Sequence, residues 1–322
     1  MSGHRVAEAE ELINTGPIEI NGVLVEPEFA EAFDMKAARI VVTADDESWV
    51  DAAAAAFTGF GTSVIACGLE TAIERRLAPA ATPDGRPGVL IAGYAMSGGD
   101  LEKQFATRLG QCVLTCPTAS AFSDRDVAAA VDGRAVPLGS VVRYFGDGHQ
   151  ISKVTGGRRF WRVPVMDGEF VVEHDTPRRS GIGGGNFLIL GRDRSAVTAA
   201  ARRAVAAIAD VPDVVTPFPG GVARSGSKVG SKYPKSFAST NDAFCPTLRG
   251  VSGERLADDE HCVLEIVLDG LSFDAISAAI HAGIHAACTG ECVDRLTRIT
   301  AGNYGGKLGR HHFHLHDVLR GV

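Results

Sequence analysis

The chain has 322 residues, 45% of them hydrophobic and 22% charged, with a net charge of −7. That length supports one large domain or two medium ones with real cores, and the composition excludes wholesale disorder. A mildly acidic chain is a poor general partner for nucleic acid, and no window reaches the roughly 18–20 apolar residues of a membrane span. The opening MSGHRVAEAEELIN carries acids where a secretory leader needs an apolar run. A cytoplasmic protein is therefore expected. Its seven cysteines are expected to be free thiols of a reducing compartment, since a chain with this much core needs no staples.

Taken in order, ARIVVTA (38–44) is β-branched and apolar and predicts a strand. DDESWVDAAAAAF (45–57) opens on acids, runs through strong helix formers and stops at Gly59, so it predicts a helix. TSVIAC (62–67) and VLIAGY (89–94) predict strands on either side of the turn TPDGRPG. SGGDLEKQFATRLG (97–110) aligns Leu101, Phe105 and Leu109 on one helical stripe. CVLTC (112–116) predicts a buried closing strand. On a strand, Cys112 and Cys116 stand roughly 13 Å apart, too far for a disulfide or a shared zinc ion. The order is β-α-β-β-α-β, the ferredoxin-like pattern.

The second half repeats the order. NFLILG (186–191) predicts a strand, RDRSAVTAAARRAVAAIAD (192–210) a helix, and DVVTPF (213–218) and HCVLEIVLDG (261–270) two strands. LSFDAISAAIHAGIHAAC (271–288) predicts a helix and RLTRITAG (295–302) the last strand. GVLIAGY and CVLEIVL occupy equivalent places about 174 residues apart. The expected fold is α+β: two ferredoxin-like lobes, 1–167 and 168–322, made by internal duplication and carrying long inserted loops at 117–185 and 218–260. Long loops inside an α/β lobe usually build a site.

Glu265 is the foremost catalytic candidate. It sits mid-strand in Val-Leu-Glu-Ile-Val-Leu, on the same face as Val263 and Val267. Burial there raises a carboxyl's pKa, and a carboxyl held protonated near neutrality can steady an oxyanion or move a proton. The alternatives are a basic partner on a neighbouring strand, or a side chain facing solvent. Residues 214–241 hold no Asp or Glu but carry Arg224, Lys228, Lys232 and Lys235 among small flexible residues, as an anion-binding loop does. The alternative is a solvated loop. It is not a P-loop, because Ser227 stands where the motif needs Lys. Ser225 and Lys228 have serine–lysine acylase spacing without the companion motifs.

His281 and His285 share a helix face, but Ala282 occupies the position of a zincin glutamate. His312, His314 and His316 alternate over about 13 Å of strand, so no metal site is expected from either group. No G-x-G-x-x-G follows a strand, which removes the basis for a dinucleotide site. Gly184-Gly185-Asn186-Phe187 and Ala301-Gly302-Asn303-Tyr304 fall in corresponding parts of the halves and are expected to be tight structural turns, with ligand contact as the lesser alternative.

The strings INGVLVEPEFAEAF, GQCVLTCPTASAF, PFPGGVARSGSKVGSK, ASTNDAFCPT, VLEIVLDGL and ITAGNYGGKLGRHHFHLHD are long and unusual. Over residues 18–319 the chain resembles formylmethanofuran–tetrahydromethanopterin formyltransferase. The resemblance implies two ferredoxin-like lobes, a homo-oligomer of dimer or tetramer size, and direct formyl transfer between methanofuran and a pterin nitrogen of tetrahydromethanopterin. No metal or permanently bound cofactor is implied; the two carriers are substrates. The family's catalytic glutamate falls on Glu265, as a protonated carboxyl that steadies the tetrahedral intermediate. Carriers with acidic tails or phosphate suit Arg224, Ser227, Lys228 and Lys232, and the matching ASTNDAFCPT string adds Asn241 and Asp242 as carrier-binding candidates. The extra residues ahead of Ile18 and the alanine-rich composition look like a bacterial, methylotrophic relative. Such relatives act in the oxidative direction, toward formate, as one component of a formyltransferase/hydrolase complex. His311 and His312 depart from the family string, which argues against an essential role for them. A carrier-binding scaffold without catalysis is the main alternative, and a generic ligand sensor the next.

Overall fold

One unbroken strand of 15 residues, Phe29–Thr43 (β1), organises the first half of the chain. In the computed structural model, residues 16–124, 131–226, 228–253 and 255–321 are described. After β1 come helix Glu47–Thr58 (α1), strands Glu70–Leu77 (β2) and Gly88–Ala95 (β3), helix Gly98–Arg108 (α2) and strand Ser120–Ser123 (β4). Asp46 caps α1 by accepting from the Ser48 and Trp49 amides, and the helix buries Val50, Ala53, Ala54 and Phe57. The strands lie in the order β2-β3-β1-β4, every neighbour antiparallel.

The second half lays out the same elements again: strand Asp175–Gly191 (β5), helix Arg194–Ile208 (α3), strands Val214–Val215 (β6) and Cys262–Gly270 (β7), helix Phe273–Ala287 (α4) and strand Leu296–Thr300 (β8). Their order is β6-β7-β5-β8, again antiparallel throughout. Each half has its own apolar core, one around Ile40, Phe57, Ile91 and Phe105, the other around Phe187, Ile189, Ile266 and Ile280. The result is a mixed α/β fold of two lobes.

Three features join the lobes. β1 and β5 pair from Arg179↔Ala37 to Gly183↔Phe33, which fuses the two sheets into one. Val23–Val25 adds a parallel edge to β8, and Gly168–Glu173 pairs with β4, so each sheet recruits a segment from the other end of the sequence. Beneath the seam the buried Arg39 guanidinium binds Glu74 (3.0 Å), Asp124 (2.7 Å) and Asp213 (2.6 Å), spanning both lobes.

Three segments differ from the sequence reading. CVLTC is not a strand: α2 continues as a π-turn over Leu109–Val113, closed by the Leu114 amide on the Leu109 carbonyl. Leu109 and Val113 are buried at helical spacing, and a short apolar run satisfies either period. Cys112 and Cys116 therefore lie on a helical segment and the turn after it, partly buried against the first core. TSVIAC forms a helical turn, Val64–Cys67, capped by Ser63, and the strand comes later as ETAIERRL. DVVTPF pairs only at Val214 and Val215, because Pro217 and Pro219 interrupt it. The 218–260 loop carries a small hairpin, Lys228–Val229 against Ala238–Ser239, between short turns.

Candidate active site

β7 supplies the centre of the site. Ile266 and Leu268 enter the helix-covered core, so alternation turns Val263, Glu265, Val267 and Asp269 to the opposite face. Glu265 lies opposite Leu188 on β5, and its other edge is closed by a two-way backbone bridge to Ala223 (2.8 and 3.0 Å). That bridge folds the 218–260 loop over β7. Burial alone pushes the Glu265 carboxyl up to about 7, and among the described residues neither a cation nor a hydrogen-bond donor pairs with it. The basic-partner alternative is thus not found, and a protonated acid sits on the cleft face of the sheet.

Four adjoining hollows form one trough with Glu265 at its waist. At one end is a basin of about 450 Å³ lined by Phe33, Met35, Glu70, Gly184, Phe237 and Tyr304, among others. It shares Phe33, Gly184, Val267 and Tyr304 with a small hollow that also touches Glu31, Asn186, Asn241 and Glu265. Asn241 and Glu265 are common to that hollow and the next, which opens through Ala223, Arg224 and Ser225 into a basin of about 910 Å³ flanked by Arg194 and His261. Two spacious ends meet at a narrow passage between Asn241 and Glu265.

The predicted site residues divide. Glu265, Asn241 and Arg224 line the trough. Arg224 is exposed and makes no hydrogen bond or ion pair with another described residue. Lys228 is not free: the hairpin carries it back onto Asp242 in a 2.6 Å ion pair, which holds the Asp242 carboxyl low. These two therefore neutralise each other at the rim, and with them goes the serine–lysine pairing of Ser225. Lys232 is exposed, close enough to lower Asp242 further. Ser227 lies outside the described residues.

Several lining groups escaped the sequence reading. Glu31 on β1 is fully buried and accepts four backbone amides, from Tyr304 (2.7 Å), Gly306 (2.9 Å), Leu308 (2.6 Å) and Gly309 (2.6 Å). These bonds hold its carboxyl below the usual range and fix the loop that presents Tyr304 to both hollows. Asn186 donates to the Gly302 carbonyl (3.0 Å) and accepts its amide (2.6 Å), stapling the two Gly-Asn segments together. They are tight structural turns, as expected, and they also line the trough. The only sequence signal for Glu31 was an acid inside the alternating FAEAFDM.

Two family models match the chain: formylmethanofuran-tetrahydromethanopterin formyltransferase over residues 18–165 and the proximal lobe of the same enzyme over 168–318. A curated relative of that name from Rhodopirellula baltica is 55% identical over 306 residues, 92% of each chain. The chain belongs to the formylmethanofuran–tetrahydromethanopterin formyltransferase family. Among solved structures, the formyltransferase/hydrolase complex of Methylorubrum extorquens with methylofuran gives a TM-score of 0.89 at 44% identity, covering 94% of this chain and 99% of that one. The formyltransferase of Methanosarcina barkeri gives 0.86 at 42% identity, covering 94% and 100%.

The histidines of this formyltransferase-family chain have structural partners. His316 bonds the Val25 carbonyl (2.8 Å), His312 the Gly309 carbonyl (3.2 Å) and His311 the Asp34 carboxylate (2.8 Å). His281 and His285 stack 4.4 Å apart on the exposed face of α4. Among the described residues no group of three His, Cys, Asp or Glu could hold a metal ion.

Proposed function

We propose that the chain moves a formyl group between methanofuran, or a related furan carrier, and tetrahydromethanopterin, with Glu265 as the catalytic acid at the waist of the trough. One observation carries the proposal: an unpaired, buried carboxyl stands where two spacious basins meet. Each basin takes one carrier, and the formamide carbon lies at the passage between Asn241 and Glu265. The apolar basin around Phe33, Met35 and Tyr304 suits a flat ring, and the basin with Arg194 and Arg224 suits an acidic tail.

In the reaction, the acceptor amine attacks the formamide carbon, a C–N bond forms, and the carbonyl oxygen gains negative charge. Protonated Glu265 donates to that oxygen, and the waist excludes water from it. Collapse breaks the other C–N bond, and the proton lost by the attacking amine ends on the departing nitrogen, with Glu265 as relay. The carriers are substrates and meet as a ternary pair, so positioning supplies much of the rate. Asn241, facing the same passage, orients the formyl group, and Arg224 steadies an acidic tail. Lys228, Lys232, Ser227 and Asp242 belong to the rim of the same loop and guide the carriers in.

The oxidative direction, toward formate, belongs to this proposal, supported by 46% identity over 307 residues to a component of the formyltransferase/hydrolase complex of Methylorubrum extorquens. So does a ferredoxin-like description of both lobes, 1–167 and 168–322, supported by the repeated strand order. Other components of such a complex, as partners, and a homo-oligomer are proposed too. An apolar groove of about 700 Å³ beside the exposed Phe145 and Met166 favours the latter. Seven free thiols accord with a cytoplasmic location, and among the described residues no helix is long and apolar enough to cross a membrane. Formyl exchange by the chain, compared with its Glu265→Gln variant, tests the central role.

A further inference from the structure

A second pair of acids sits four residues along β7 from Glu265, and nothing in the reaction above uses it. Asp269 is fully buried and Glu70, on β2 of the other lobe, is 8% exposed. Their carboxyls hydrogen-bond to each other. Two carboxylates have only acceptors to offer, so such a bond requires one of them to hold a proton. The same acids grip the walls of the 450 Å³ basin. Asp269 Oδ1 accepts the Gly184 amide (3.1 Å), and Glu70 Oε1 accepts the Val64 amide (3.0 Å). Glu70, Val64 and Gly184 all line that basin, and Gly184 also lines the hollow beside Glu265. Gly184 has φ of +91°, a conformation that a side chain would strain, so the amide needs this anchor to stay where it is.

No cation compensates the pair. The nearest guanidinium, Arg39 on β1, is committed to Glu74 on β2, Asp124 and Asp213. Tyr94 on β3 faces the same region with its hydroxyl held protonated by burial and by the surrounding acids. Asp269 Oδ2 is buried and receives no N–H or hydroxyl from a described residue. Both acids of the pair are pushed above the usual carboxylate range, chiefly by burial.

We propose that Glu70 and Asp269 share one proton and act as a positioning clasp between the lobes, fixing the Val64 and Gly184 walls so that the basin beside Glu265 binds its carrier tightly only while the proton is in place. The pair is distinct from Glu265: it positions the wall and does not touch the reacting atoms. Raised acids stabilise the fold at low pH, and that contribution fades as pH climbs through the pair's folded-state value. Removing the shared proton puts two negative charges in one buried site and pushes the lobes apart there. Gln at position 70 or Asn at position 269 supplies a permanent N–H in place of the proton and leaves nothing to titrate on the alkaline side.

The test is the thermal midpoint and the Michaelis constant of the full chain from pH 6 to pH 10, for wild type, Glu70→Gln, Asp269→Asn and Glu70→Ala. Glu74 and Tyr94 are common to all four, so differences between curves isolate the pair. Near pH 7 the amide variants should bind carrier within about twofold of wild type. Toward pH 10 wild type should lose on the order of 5 °C more than they do. Its Michaelis constant for one carrier should rise with the same midpoint, while theirs stays flat. Glu70→Ala should raise that constant about tenfold at every pH with turnover within about threefold. Parallel melting curves in wild type and the amide variants would overturn the proposal. So would failure of both amide variants to fold, since each keeps a donor for the bond, and so would an unchanged Michaelis constant in a folded Glu70→Ala. The kinetic arm rests on the Glu265 reading. The melting arm does not, so an inactive chain with the predicted melting difference would sink only that reading.

Discussion

Replacing Glu265 by Gln should make the protein more stable at neutral pH while it removes most of the activity. The side chain keeps its volume and shape, so packing between Leu188 and Ala223 is undisturbed. What changes is charge. Burial raises the carboxyl from the ordinary 4.5 to about 7 with no partner to repay the cost, a difference worth about 3 kcal/mol. The small hollows on either side admit water, so this figure is an upper one. For a raised acid, the stability that the neutral form retains is complete below pH 4.5 and is lost as pH rises through about 7. Gln stays neutral across that window. Wild type and variant should therefore melt alike near pH 4.5 and diverge above it, with the variant higher by about 5 °C at pH 8. Differential scanning calorimetry from pH 4.5 to pH 8 reads this directly. Parallel curves would refute the claim of a buried, uncompensated carboxyl, whatever the kinetics did.

The ion pair between Lys228 and Asp242 reassigns the cation that matters: Arg224→Ala should raise a Michaelis constant about tenfold in steady-state assays, and the effect should shrink with added salt. Lys228→Ala should change it less than about twofold. Glu31→Gln exchanges an acceptor for a donor against four amides, so it should cost about 2–3 kcal/mol in denaturant unfolding and weaken carrier binding through the Tyr304 loop. Activity should survive exhaustive chelation, because a formamide carbonyl needs a placed amine and a proton donor, both available at the waist. Loss on chelation with rescue by one divalent ion would reopen His281 and His285.

Elements with a strong period or a clear cap were legible in the sequence. α1, α3 and α4 fall within a few residues of their expected spans because Asp46, Asp193 and Ser272 cap them and alanines fill their buried faces. The duplication was legible because β3 and β7 are apolar runs at equivalent places. CVLTC misled because five apolar residues fit a π-turn as well as a strand. β2 hid because ETAIERRL buries Glu70 and Glu74 in polar partnerships that hydropathy cannot show. At the site, Glu265 was legible as a lone acid in an apolar strand. Its neighbours were not, because Glu31, Glu70 and Tyr304 reach the trough only through pairings across more than 190 residues of chain or between lobes.

Formyl exchange by the purified chain, supplied with both carriers, tests the account most directly. Wild type should transfer the group between them, and Glu265→Gln should bind both carriers while turnover falls about 10²-fold or more. Transfer by the Gln variant at the wild-type rate would contradict the role given to Glu265, and no exchange by the wild-type chain would contradict the proposed function itself.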